Sequence, residues 1–213
     1  MTELALVYRG RAARPAGCAE AVAGLLRSSP RGFDVQYVGR REKLRLTRET
    51  LAAAAVYAQP GGGELGPAYR RMRRHRDTIR GYVAGGGRYL GFCLGGYLAG
   101  ATPGFDLLPG DTDQYVLGTA NRLVDVEWRG RRRSLFFQDG PVFEVRPDPA
   151  LTVLARYGDG AIAALTTPFG AGRVGVVGPH PEATSDWFDD AGLPEPRPGG
   201  TDLGHDLIDE VMR

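Results

Sequence analysis

Leu4 to Tyr8 is an apolar run of strand length, and Cys18 to Arg27 then carries apolar residues at helical spacing. Phe33 to Val38 reads as a second strand. Thr47 is placed to cap a short helix, after which Ala54 to Gln59 forms a third strand stopped by Pro60 and three glycines. Tyr69, Met72, Ile79 and Val83 fall on one face of a long helix, with arginines on the other. Gly85 to Gly87 can end that helix, and Arg88 to Phe92 reads as a fourth strand running directly into Cys93. Strand alternating with helix predicts a parallel sheet covered on both faces.

From Leu123 onward the period changes. Val124, Val126 and Trp128 alternate with polar residues, and strand-like segments follow at Leu135 to Phe137, Val142 to Val145 and Leu151 to Tyr157. Ala161 to Thr166 and Arg173 to Val177 form a pair joined by the turn PFGAGR, and the second delivers the segment GPHPE. This half is read as richer in strands and antiparallel. A Pro- and Gly-rich stretch, Pro194 to Gly200, precedes a terminal helix from about Asp202 to Met212. No repeat or linker divides the chain, so residues 1–213 are expected to form a single domain.

Composition narrows the function classes. The formal net charge of +2 gives little reason to expect nucleic acid as a partner. Two local basic runs, Arg70 to Arg76 and Arg129 to Arg133, lack interleaved aromatic residues and are read as solvated faces. The two cysteines, Cys18 and Cys93, stand in unlike contexts and do not suggest a disulfide framework. No apolar stretch is long enough for a bilayer, and the first residues lack the form of a secretory signal, so a cytoplasmic location is expected.

Three segments carry chemistry. Gly91-Phe92-Cys93-Leu94-Gly95 has the form G-x-C-x-G, a cysteine version of the nucleophile elbow. Glycines on either side permit a sharp turn from strand to helix that lifts the thiol over the sheet, and the first helical amides favour its thiolate form. The bland alternative is a small residue buried at a crowded turn. Cys18 has no such setting and is read as a helix residue packed in the core.

In Gly178-Pro179-His180-Pro181-Glu182, alternate side chains of an extended segment point the same way, so Glu182 can orient His180 toward the thiol. Taken alone, the segment is equally a proline turn with an exposed histidine. The third segment, Pro60 to Gly63, ends a strand where its amides, with that of Leu94, could form an oxyanion hole; the alternative is an ordinary glycine turn. It matches neither the dinucleotide fingerprint nor a P-loop, so neither a nicotinamide cofactor nor ATP is expected. The remaining histidines, His75 and His205, are read as surface residues, and no metal-ligand spacing is present, so no cofactor or metal is expected.

PGGG at 60–63, GFCLGG at 91–96 and GPHPE at 178–182, in that order, resemble the class I glutamine amidotransferase-like superfamily, and within it the amino-terminal domain associated with biotin protein ligases. The resemblance extends to LPGDTDQYVLGTA at 108–120 and FFQDGPVF at 136–143. It implies a flavodoxin-like three-layer α/β sandwich with a mostly parallel central sheet and additional antiparallel strands in the second half. It implies also a Cys93-His180-Glu182 triad with oxyanion positions at Gly62, Gly63 and Leu94. The post-cysteine sequence LGGYLAG departs from the subgroup's CAGAY-like form, and no ligase catalytic segment is recognised, so biotin ligation is not expected.

The reading is a cysteine amidase or amidotransferase-like hydrolase acting on a small carboxamide through a thioester. Glu64, Tyr97 and Asp139 adjoin the motif loops and are the candidate substrate contacts. The resemblance leaves room for an acceptor or synthetase subunit that receives ammonia. Alternatives are a hydratase or lyase using the same cysteine, or a noncatalytic binding module.

Overall fold

A computed structural model describes residues 2–15 and 17–213. Its first half alternates strand and helix: β1 (Leu4–Tyr8), α1 (Gly17–Ser28), β2 (Asp34–Val38), α2 (Arg48–Ala52), β3 (Val56–Gln59), α3 (Leu65–Met72), α4 (Arg76–Ala84), β4 (Arg88–Phe92) and α5 (Leu94–Ala99). The second half is mostly strand: β5 (Gly110–Gln114), β6 (Arg122–Trp128), β7 (Arg131–Phe137), β8 (Pro141–Val145), β9 (Thr152–Tyr157), β10 (Ile162–Phe169) and β11 (Gly172–Val177). Two helices, α6 (Ser185–Ala191) and α7 (Thr201–Val211), complete it.

One sheet of nine strands, ordered β2-β1-β3-β4-β11-β10-β9-β6-β7, runs through both halves. The pairs from β2 to β11 are parallel and those from β11 to β7 antiparallel. Only β10 and β6 therefore oppose the common direction. Alternation along each strand fills two cores. Ala5 and Val7 of β1 with Leu90 and Phe92 of β4 pack beneath α1 and α7, whereas Leu6, Tyr57 and Tyr89 meet Leu51, Ile79, Val83 and Leu98 from the helices between β2 and β5. The result is a flavodoxin-like α/β sandwich of three layers.

The antiparallel β10–β11 pair joins the two halves because β11 also lies parallel to β4, with Val177 opposite Phe92. The two strands that end in Cys93 and in GPHPE are thus neighbours, and their carboxyl ends open on the same side of the sheet, where ligand crevices of such folds lie.

Three expectations need correction, and β5 and α6 add to the expected elements. The long helix through Tyr69 and Val83 is broken by a 3₁₀ turn at Arg73–His75, and α4 is instead drawn toward the 104–106 loop by Arg76 and Arg80, which bond the carbonyls of Gly104 and Phe105. β5 and α6 are too polar to show an apolar period. The run 129–133 is a β6–β7 hairpin docked on α7 rather than a purely solvated face: Arg129 bridges Asp206 and Glu210, and Arg133 bridges Asp202. His205 is half-buried and joins α7 to α1 through Ser28 Oγ at 3.0 Å.

Candidate active site

Cys93 sits between β4 and α5 with φ 47° and ψ −105°, a backbone state that L-residues rarely adopt. Sterics explain the glycines around it. A Cβ at Gly91 would lie 2.5 Å from the Gly95 carbonyl oxygen, and one at Gly95 would overlap the carbonyl of Gln59 on β3. Helix and strand approach closely only because both positions lack a side chain, and that approach forces the turn. The Cys93 amide is anchored to the Val177 carbonyl at 2.9 Å, which ties the elbow to β11.

His180 is fixed from three directions. Its amide donates to the Phe136 carbonyl at 2.9 Å, and its ring meets Phe136 and Trp187 edge to face at 6.0 and 5.2 Å between centroids. Nδ1 lies 2.8 Å from Glu182 Oε1, with both side chains buried. Glu182 Oε2 has no hydrogen-bond partner among the described residues, so the carboxylate is answered chiefly by the imidazole. Burial alone would push His180 toward its neutral form. The nearby Glu182 carboxylate, followed by Cys93, outweighs burial and raises the pKa to about 10.

With Nδ1 turned to Glu182, the opposite edge of the ring faces the thiol side. Gly61 marks the junction: a Cβ there would stand 3.0 Å from His180 Cε1 and 3.3 Å from Cys93 Cβ. Nothing in PGGG distinguishes this glycine from the two after it. The Cys93 thiol donates to the Gln138 carbonyl at 3.5 Å, with the Asp139 carbonyl at 3.9 Å. The loop between β7 and β8 therefore covers the sulfur, a contact that no sequence spacing announces.

The sequence candidates all line one cavity of about 1410 Å³: Cys93, His180 and Glu182, together with Gly62, Gly63, Leu94, Glu64, Tyr97 and Asp139. Gly62 and Gly63 have φ values of +95° and +86°, which glycine alone adopts freely. Among the described residues no acceptor is found for the amides of Gly62, Gly63 or Leu94. α5 has six residues, so its macrodipole is small. Burial, then the Asp139 charge, keeps the Tyr97 phenol well above its usual pKa and hence neutral. Asp139 accepts from the Gln114 side chain, an arrangement that holds its carboxylate in the wall.

Cys18 is buried on α1 as expected, yet it also borders this cavity. Its thiol is pushed up to about 12, first by burial and then by the charges of Glu182 and Cys93. Trp187 is a further wall residue that escaped the sequence reading with the rest of α6.

A family model described as "Biotin-protein ligase, N terminal" matches residues 4–124. A solved glutamine amidotransferase is similar, at 20% identity over 88% of this chain and 99% of its own, with a TM-score of 0.62. A putative GMP synthase component from Thermoplasma acidophilum matches at 11% identity over 100% of this chain and 94% of its own, also with a TM-score of 0.62. The GH42 β-galactosidase Gan42B matches 99% of this chain with 30% of its own, at 16% identity and a TM-score of 0.58. At these identities the likeness is one of fold. A sequence search of curated proteins returned no match. No helix among the described residues is long and apolar enough to cross a membrane.

Proposed function

The chain belongs to the biotin-protein ligase N-terminal family, and from that premise we propose that it is a cysteine-dependent amidase of the amidotransferase type, acting on a small carboxamide. The observation that carries the reading is the buried His180-Glu182 pair opening on the same cavity as a strained Cys93. A histidine held this way stores a proton beside the thiol and returns it to a leaving group.

In the proposed reaction the Cys93 sulfur, its proton already held by His180, attacks the carboxamide carbon, and the carbonyl electron pair moves onto oxygen. The amides of Leu94 and of Gly62 or Gly63 receive that oxyanion. As the tetrahedral adduct collapses, the C–N bond breaks and His180 gives its proton to the departing nitrogen, which leaves as ammonia. A thioester on Cys93 remains. Water, losing a proton to His180, then releases the carboxylic acid and restores Cys93 beside protonated His180.

Glu64, Asp113 and Asp139 on the cavity wall favour a carboxamide that also bears an ammonium group. Tyr97, kept neutral, supplies a hydroxyl rather than a charge. L-glutamine has the required pair of groups and is the first substrate to test, with asparagine and N-acetylglutamine as comparisons. The measurement is ammonia release together with mass spectrometry of acid-quenched protein. A Cys93 adduct of the acyl mass and loss of turnover in Cys93→Ala support the reading. Turnover of a substrate by Cys93→Ala at the wild-type rate would remove it.

A further inference from the structure

A second crevice, of about 1020 Å³, adjoins the thiol cavity and shares Arg14, Pro15 and Glu20 with it. Three segments far apart in sequence converge on it: the 9–14 loop after β1, the 40–45 loop after β2, and α3 with the turn that follows. Each brings three arginines, and the only carboxylates among the lining residues are Glu20 and Glu42. Arg9 engages both, through Nη1 to Glu20 at 3.1 Å and a two-pronged contact with Glu42 at 3.0 and 2.8 Å. Its guanidinium also stacks 3.8 Å over the Tyr37 ring. The crevice acids are thereby spent on one arginine. Arg11, Arg14, Arg40, Arg41, Arg45 and Arg70 face the space with no carboxylate partner among the described residues.

The 9–14 loop is anchored at several points. The Gln59 side chain holds the Ala12 carbonyl at 3.3 Å, and Ala13 bonds back to Gly10 at 3.1 Å. Gly39 is pressed against the Arg9 backbone, and a Cβ at Gly62 would overlap the backbone of Arg14. That last contact sets the arginine loop directly on the glycine loop beside Cys93.

We propose that this crevice binds a polyphosphate group carried by a small molecule. Guanidinium forks match phosphate oxygens, and several uncompensated charges around one concavity call for a ligand with several negative charges. Nucleic acid and acidic protein surfaces fit less well. The chain's net charge is only +2, so no strong positive field surrounds the molecule as a whole. The aromatic lining residue, Tyr8, is buried and offers no stacking platform. The expectation that Arg70 to Arg76 forms a solvated face is revised accordingly, since Arg70, Arg71 and Arg74 turn toward this space. The site uses side chains from folded segments, which is why the absence of a phosphate-binding glycine motif does not bear on it.

The test is calorimetric titration with sodium tripolyphosphate, inorganic phosphate and a short single-stranded oligonucleotide at physiological salt. Wild-type protein and Cys93→Ala should bind tripolyphosphate saturably and equally, so that failure of the thiol chemistry would leave this result standing. Affinity should exceed that for inorganic phosphate by about tenfold or more. Arg41→Glu and Arg70→Glu, each confirmed folded by its melting curve, should weaken binding at least about tenfold. Arg131→Glu, which makes the same charge change on the exposed β6–β7 hairpin, should alter it less than about twofold. Absence of saturation, equal losses in all three variants, or tighter binding of the oligonucleotide than of tripolyphosphate would each overturn the proposal.

Discussion

His180 Nδ1 stands 2.8 Å from Glu182 Oε1 across a single proline, and the second carboxylate oxygen of Glu182 meets no donor among the described residues. A carboxylate removed from water and answered chiefly by one imidazole must favour the protonated ring. The imidazole is accordingly held above its ordinary pKa.

This has a stability consequence with a definite sign. His180 is raised from its ordinary value to about 10 by Glu182 and Cys93 against the opposing effect of burial. Its contribution is complete below the unfolded pKa of about 6.5 and is lost as pH rises through about 10. Urea denaturation of the wild type should show stability falling across that window, and Glu182→Gln should flatten the fall. Histidine NMR offers a second readout, since only His75, His180 and His205 contribute signals. The His180 ring should remain imidazolium well above pH 7 in the wild type and titrate lower in Glu182→Gln.

The two thiols should differ sharply in reactivity. Both cysteines are buried, but the Cys18 thiol is pushed up to about 12, first by burial and then by the charges of Glu182 and Cys93, so almost none is thiolate at neutral pH. Brief treatment of folded protein with iodoacetamide, followed by peptide mapping, should label Cys93 and spare Cys18. Preferential labelling of Cys18 would contradict the assignment of the elbow.

Gly61 and Gly95 separate chemistry from folding. Alanine at Gly61 places its Cβ 3.0 Å from His180 and 3.3 Å from Cys93, a misfit that shifts of a few tenths of an ångström can relieve. Gly61→Ala should keep its melting temperature within a few degrees yet slow Cys93 alkylation several-fold. Alanine at Gly95 meets the Gln59 backbone, which cannot yield without opening the α5–β3 contact. Gly95→Ala should lose several degrees of thermal stability or fail to accumulate folded.

Much of this was legible in the chain because it rests on local sterics and period. The elbow could be read because Gly91 and Gly95 bracket Cys93, and both prove to be positions where a Cβ has no room. The parallel half could be read because Leu4–Tyr8 and Arg88–Phe92 are short apolar runs each followed by a helix. What escaped depends on tertiary placement. The Gln138 carbonyl reaches the thiol only because the β7–β8 connection folds over it, and Trp187 reaches His180 from a helix too short and acidic to show a period. The run 70–76 reads as a solvated face, and its Arg70, Arg71 and Arg74 meet the arginines of 9–14 and 40–45 only once β1 and β2 pair and α3 packs beside them.

The most direct measurement is a double-mutant cycle on Cys93 alkylation at neutral pH, because it needs no knowledge of the substrate. Wild type, His180→Ala, Glu182→Gln and the double variant are compared by initial labelling rate, with circular dichroism to confirm folding. If Glu182 acts through His180, each single variant should slow the reaction by about tenfold or more, and the double variant should be scarcely slower than His180→Ala. Losses that multiply in the double variant would contradict a Cys93-His180-Glu182 unit, leaving a Cys-His pair with Glu182 in another role.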